Sequence, residues 1–218
     1  MLVGHFAVAF GARRLDRTLS LGTLALAAMF SDFLWALFML LRVEQVDIRP
    51  GVRGAANYLL MNQVAWSHSL LMAAVWGVVF AGVYFALWGN KRGSALLLLV
   101  VVSHWLLDFI SNPHALPLSP WRPDRVGLGL WASIPATLIV EGGAWLAAII
   151  IFVRGTHTKG PTGIVALLAG SALLTAIWFD NIAGPAHAPH PQPIGALIVF
   201  SLFVGWMFWI NRLRPVRS

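Results

Sequence analysis

The chain has 218 residues, 59% of them hydrophobic and 11% charged, with a formal charge of +7 and a mean hydropathy of +0.78. Soluble domains carry about 25% charged residues, so this composition excludes a soluble globular protein and points to an integral membrane protein. Cysteine is absent, which excludes disulfides and cysteine–metal sites; in so apolar a chain the arginines and lysines read as topology signals in short loops, not as a nucleic-acid surface.

The opening stretch 1–12, MLVGHFAVAFGA, is too short to cross a bilayer and is predicted to be a half-helix packed against the rest. Its charges follow the apolar run, unlike those of a secretory signal, so it reads as part of the mature protein. Spans approaching the required length of about 20 apolar residues are predicted at 19–41, 64–87, 94–111, 128–153, 163–181 and 194–211. Breaker-rich connections separate them, such as GNKRG at 89–93 and GPAHAPHPQP at 184–193. The expected fold is an all-α polytopic transmembrane helical bundle of about six spans plus the half-helix, forming a single integral membrane domain over 1–218.

Alternate loops differ in charge. Arg13, Arg14, Arg17, Lys91, Arg92, Arg154, Lys159, Arg212, Arg214 and Arg217 fall on one face. Arg42, Arg49, Arg53, Arg122 and Arg125 fall on the other, diluted by Glu44, Asp47 and Asp124. Ten against five makes the first face cytoplasmic by the positive-inside rule. With the spans so threaded, the ionisable residues inside them can be placed by depth. His5 lies near mid-membrane, because a helix as long as 1–12 rises only about 18 Å. Asp32 lies just past the middle of its span, and His68 stands about a turn from the opposite face. His104 and Asp108 stand four residues apart on one helix face, in VVSHWLLDFIS. Glu141 lies midway along 128–153. All six fall in one slab, between the middle of the membrane and the face opposite the arginines.

Charges in the bilayer core are expensive, and such groups usually face a bundle interior and mark function. Three histidines and three carboxylates, with no lysine or arginine among them, suit a divalent metal. Zinc fits best, with manganese or iron as alternatives and one or two ions accommodated. His5, Asp32, His68, His104, Asp108 and Glu141 are the candidate ligands, with Asp32 and Glu141 also candidates for catalytic work. Each has a plainer reading on its own. His5 would sit at the interface, Asp32 would cap a helix or pair with His5, and His68 would bond Ser67 or Ser69. His104 and Asp108 would form a closed pair, and Glu141, with Thr137 one turn before it, would carry a proton. His114 follows Asp108 closely enough to fold over a site mouth. His187 and His190 belong to a proline-rich loop, and Asp180 with Asn181 to a helix end.

The motifs GHFAVAF, SD in the first long span, WSHSLL and SHWLLDFIS, followed by a carboxylate in the fourth span, resemble the YdjM-like family of bacterial inner-membrane proteins, described as metal-dependent hydrolases. The resemblance covers about residues 1–155 and leaves 156–218 as two further transmembrane helices. It implies that His5, Asp32, His68, His104, Asp108 and Glu141 are the family's functional residues and that the chain resides in the inner membrane; the charge count then puts the site in the periplasmic or external half. A more distant likeness, to zinc-dependent phospholipase C, implies cleavage of a phosphoester in a lipid or lipid-linked substrate. No G-x-S-x-G and no cysteine supply a fixed nucleophile, so water is the expected one. A proton or divalent-cation transporter and a structural membrane protein with a degenerate metal site are the alternatives.

Overall fold

The computed structural model describes residues 1–48, 59–184 and 192–216. The segment 49–58, the loop holding His187 and His190, and Arg217 lie outside the described residues. Helix α1, Leu2–Ala12, is the buried centre of the fold: Val3, Phe6 and Phe10 have no accessible surface. It packs on α2 (Leu21–Ala28), α6 (Lys91–Ser111) and the second half of α7 (Ile134–Gly155). A helix this short cannot cross a bilayer, but it can be apolar on every side because neighbouring helices surround it.

Five helices among the described residues are long and apolar enough to span a membrane: α5 (Leu70–Trp88), α6, α7, α8 (Pro161–Ala183) and α9 (Pro193–Leu213). The predicted span 19–41 is instead a bent pair, α2 and α3 (Phe30–Leu40), meeting at 53°. The bend falls at Met29, whose φ of −97° and ψ of 6° interrupt the helix. With that pair counted as a sixth span, the chain is a multi-pass, all-α membrane bundle. Its long helices turn Leu87, Leu99, Leu168 and Leu202 outward, each more than 60% exposed, as surfaces that meet lipid instead of water. Where helices touch, small residues admit large ones. A Cβ on Gly170 would stand 2.1 Å from Trp206, whose indole donates to the Ala166 carbonyl at 2.8 Å.

The predicted span 64–87 is also interrupted. A short helix α4, Ala65–His68, ends at Ser69, which swings extended and caps α5 by accepting from the Met72 N–H. Helix α5 closes at Gly89, in the left-handed region at φ 66°, a conformation glycine adopts without Cβ strain. Asn90 then caps α6 through the Gly93 N–H at 2.9 Å. Two small antiparallel pairs were not foreseen. Strand β1 (Gln45–Ile48) pairs with β2 (Leu59–Gln63), and β3 (Pro113–Pro117) with β4 (Arg125–Leu128). Strand β4 ends at Leu128 and a 3-10 turn, Leu130–Ala132, fills the start of the predicted 128–153 span, so α7 begins only at Ile134.

Contacts between loops gather at two ends of the bundle. At one end Arg13 donates to Asn211, Arg92 to the Leu15 carbonyl and Asn90 to Thr18. At the other end Trp66 packs edge-on against Trp121 and the Leu71 N–H donates to the Leu118 carbonyl.

Candidate metal centre

Five of the six predicted site residues meet in one buried cluster. Helix α6 contributes His104 and Asp108, one turn apart, with Nε2 of the histidine 3.3 Å from Oδ2 of the aspartate. The short helix α4 contributes His68, whose Nε2 lies 3.8 Å from that same oxygen. The bend at Met29 brings Asp32 into the first turn of α3, where its Oδ1 stands 3.4 Å from His68 Nε2 and 3.7 Å from His104 Nε2. Helix α1 brings His5, stacked flat on His104 with ring centroids 3.7 Å apart and its Nε2 3.2 Å from Asp108 Oδ1. The backbone features that position these groups are breaks: Met29 for Asp32 and Ser69 for His68.

The two central histidines are held by their outer nitrogens. His104 Nδ1 donates to the Ala28 carbonyl at 2.7 Å, at the end of α2, where helix carbonyls lack intrahelical partners. His68 Nδ1 stands 2.7 Å from Ser67 Oγ, which donates to Glu44 Oε2 at 2.6 Å. Both Nε2 atoms then point inward, buried and without a hydrogen-bond partner among the described residues. An inward lone pair on a ring anchored at its other nitrogen is how metal-binding histidines are usually oriented.

The donor set suits an ion. Metal–nitrogen and metal–oxygen bonds of about 2.0–2.1 Å in a tetrahedron place neighbouring ligand atoms about 3.3–3.4 Å apart. The four histidine–aspartate edges formed by His68 Nε2, His104 Nε2, Asp32 Oδ1 and Asp108 Oδ2 measure 3.3 to 3.8 Å. Two overlapping three-residue groups can be drawn here, His5–Asp32–His104 and His68–His104–Asp108. They share His104, whose second nitrogen is committed to Ala28, so they describe one centre rather than two.

Asp108 divides its oxygens. Oδ2 faces the two central histidines, while Oδ1 accepts from the Met1 amino group at 2.6 Å and lies beside His5. His5 Nε2 is 3.1 Å from that amino nitrogen. His5 thus meets Asp108 on the oxygen turned from His68 and His104, and it also belongs to the group in which its ligand atom and those of Asp32 and His104 lie within 4.8 Å of one another.

Glu141 is buried but is not among the residues whose ligand atoms converge. It sits on a π-helical turn, Leu138–Gly142, that turns it inward at 1% exposure while Ile139 faces out at 74%. Its Oε2 accepts from the Trp178 indole at 2.5 Å. Its Oε1 makes no hydrogen bond of good geometry among the described residues, although the Trp131 indole also faces the carboxylate. Glu141 interacts electrostatically with the Met1 amino group and with Asp108, so it faces the cluster from the α7 side. Thr137 bonds the backbone of Leu130 and Ser133 and does not orient Glu141.

His114 lies exposed on β3 with a positive φ of 26°, away from the cluster's contacts. Asp180 is exposed near the end of α8. Sequence reading passed over Glu44, taken as a loop charge, and Trp178. Neither carries a local signal, since each reaches its partner across 23 and 37 residues respectively. Neither a family model, nor a curated protein, nor a solved structure matches this chain.

Proposed function

We propose that the chain is a membrane-embedded, metal-dependent hydrolase that cleaves a phosphoester of a lipid or lipid-linked substrate. The observation that carries this reading is the set of four ligand atoms from three separate segments that face one another, with histidine–aspartate distances of 3.3 to 3.8 Å, near the ligand–ligand spacing about a zinc ion. Asp32, His68, His104 and Asp108 would hold the ion, and His5 would brace Asp108. A divalent ion in such a site supplies Lewis acidity and lowers the pKa of water to about 7.

The remaining work falls to the chain. Asp32 has a side chain 19% exposed, against 1–6% for His68, His104 and Asp108, so it marks the side from which substrate and water arrive. Glu141 is the base: its Oε1 takes the water proton as the new P–O bond forms, and returns it to the leaving oxygen as the ester bond breaks. Trp178 fixes the carboxylate by holding its other oxygen. The YdjM-like motifs support a metal-dependent hydrolase, and the distant likeness to zinc-dependent phospholipase C and the lipid surroundings support this substrate class. The charge bias of the loops favours the periplasmic half of the inner membrane for the site.

Transport of protons or cations fits less well. Between the cluster and the arginine-rich end the centre is closed by Phe6, Phe10, Leu24, Leu97 and Val101, none more than 0% exposed and none able to relay a charge. The test is purification in detergent, metal analysis and an assay of phospholipid headgroup release. About one zinc per chain is expected, lost in the His104→Ala, Asp108→Ala double variant together with headgroup release. A metal-free wild type, or undiminished metal in the double variant, overturns the reading. Metal flux into proteoliposomes without hydrolysis would favour the transporter.

A further inference from the structure

Glu44 is 2% exposed, a buried acid on the chain between α3 and β1. Its two oxygens have different tasks. Oε1 accepts the backbone N–H groups of Trp66 and Ser67, both at 2.8 Å, while Oε2 accepts the Ser67 hydroxyl at 2.6 Å. Burial pushes this carboxyl up from its ordinary range, and the bonds from Ser67 and Trp66 and the nearness of His68 oppose that rise. The metal reading above uses Glu44 only as the partner of Ser67 and does not explain why an acid is buried there.

Proton counting gives it a role. Ser67 has one hydroxyl proton, and a carboxylate oxygen can only accept it. With that proton given to Glu44, the contact between Ser67 Oγ and His68 Nδ1 needs its proton from the histidine. His68 is thereby held as the Nδ1–H tautomer, and its Nε2 presents a lone pair to Asp32 and Asp108. We propose that Glu44 and Ser67 are positioning residues that set the tautomer and ring orientation of His68 for binding a divalent cation, an inference that rests on the metal reading above. On His104 the Ala28 carbonyl does the same work. The difference is that Glu44 lies outside the spanning helices, in the chain that leads into β1, so this loop is tied directly to the site.

The sharp variant is Glu44→Gln. Its amide oxygen must face the two backbone N–H groups, because its NH₂ would oppose two donors there. The NH₂ then meets Ser67, which accepts from it and turns its own proton toward His68 Nδ1 at 2.7 Å, the nearer acceptor, the Val64 carbonyl lying at 3.5 Å. The tautomer flips, and Nε2 carries a proton where the lone pair was. The experiment uses the full chain in detergent, stripped of metal and labelled with ¹⁵N-histidine. Nitrogen NMR reads the tautomer, with His68→Ala identifying the signals by their loss, and chelator competition reads the affinity for zinc alone. The expected result is a change from Nδ1–H to Nε2–H at residue 68 in Glu44→Gln, with zinc affinity lowered about 10–100-fold, the usual effect of losing an outer partner of a metal-binding histidine. Retention of the Nδ1–H tautomer, or a flipped tautomer with unchanged affinity, overturns the proposal.

Ser67→Ala covers the case in which Glu44→Gln does not fold, since it keeps both backbone bonds of Glu44. Lowered zinc affinity is expected, and wild-type affinity overturns the proposal. Failure of the metal reading looks different. In that case the wild type binds no zinc, while the tautomer measurement, made without metal, still decides whether Glu44 and Ser67 orient His68.

Discussion

Asp32 is the cluster member least closed off by protein, and His5 the one that meets Asp108 through its other oxygen. That contrast separates roles that composition alone gave equally to both. His5 touches Asp108 through the oxygen that faces away from His68 and His104, so its removal loosens a ligand without removing one. His5→Ala is expected to keep about one zinc per chain with affinity lowered about 10–100-fold, as for other outer partners of metal ligands. His68→Ala removes one of the four facing atoms and should fall well below His5→Ala in the same chelator competition. Equal losses in the two variants would make His5 a ligand of the same rank. At this scale the sequence was informative where an ionisable side chain sat in lipid-like surroundings, since its burial cost is itself the signal. It was uninformative for Glu44, because an acid in a loop is ordinary and only the fold shows this one to be buried.

Elements were legible as apolar runs, but their breaks were not. Hydropathy passes smoothly through Met29 and Ser69, and the interruptions there follow from tertiary demands. One brings Asp32 within 3.7 Å of His104, the ring anchored on the Ala28 carbonyl; the other ends α4 just past His68. The π-helical turn at Leu138–Gly142 is a third such departure, and such turns often occur at functional sites. At the opposite end the elements are tied by a polar chain. Asp16 accepts from the N–H and hydroxyl of Thr18, and Thr18 accepts from Asn90, the cap of α6. Burial raises the Asp16 carboxyl, but the Thr18 bonds and the charges of Arg92 and Arg13 outweigh it and leave the group below its ordinary range. A depressed carboxyl stabilises the fold above its unfolded pKa of about 3.9, and that contribution fades as pH falls through the lower folded value. Asp16→Ala should therefore lower thermal stability in detergent at pH 7, by about 1.5–3 kcal/mol for bonds to a charged acceptor. The gap to wild type should narrow below about pH 4. A gap that does not change between pH 7 and pH 3 would mean that the charge of Asp16 contributes nothing.

For the whole molecule, the sequence supplied threading and depth, and the convergence of His5, Asp32, His68, His104 and Asp108 follows from both. Helices that alternate in direction bring residues of similar depth together even when they are a hundred positions apart, as Asp108 and His5 are. What threading could not supply was which nitrogen of each histidine faces inward, because that depends on partners such as Ala28 and Ser67. The sidedness of the bundle follows from its loops: Arg13, Arg92 and Asn211 gather at one end, while Trp66 and Trp121 meet at the other, where Trp121 is 71% exposed. If the arginine-rich end is cytoplasmic, the site opens outward. The absence of cysteine makes this directly measurable. In intact bacterial spheroplasts, Trp121→Cys should react with a membrane-impermeant maleimide, whereas Lys91→Cys should react only after permeabilisation. The reverse pattern would place the metal cluster in the cytoplasmic half, and any lipid substrate would then have to be drawn from the inner leaflet.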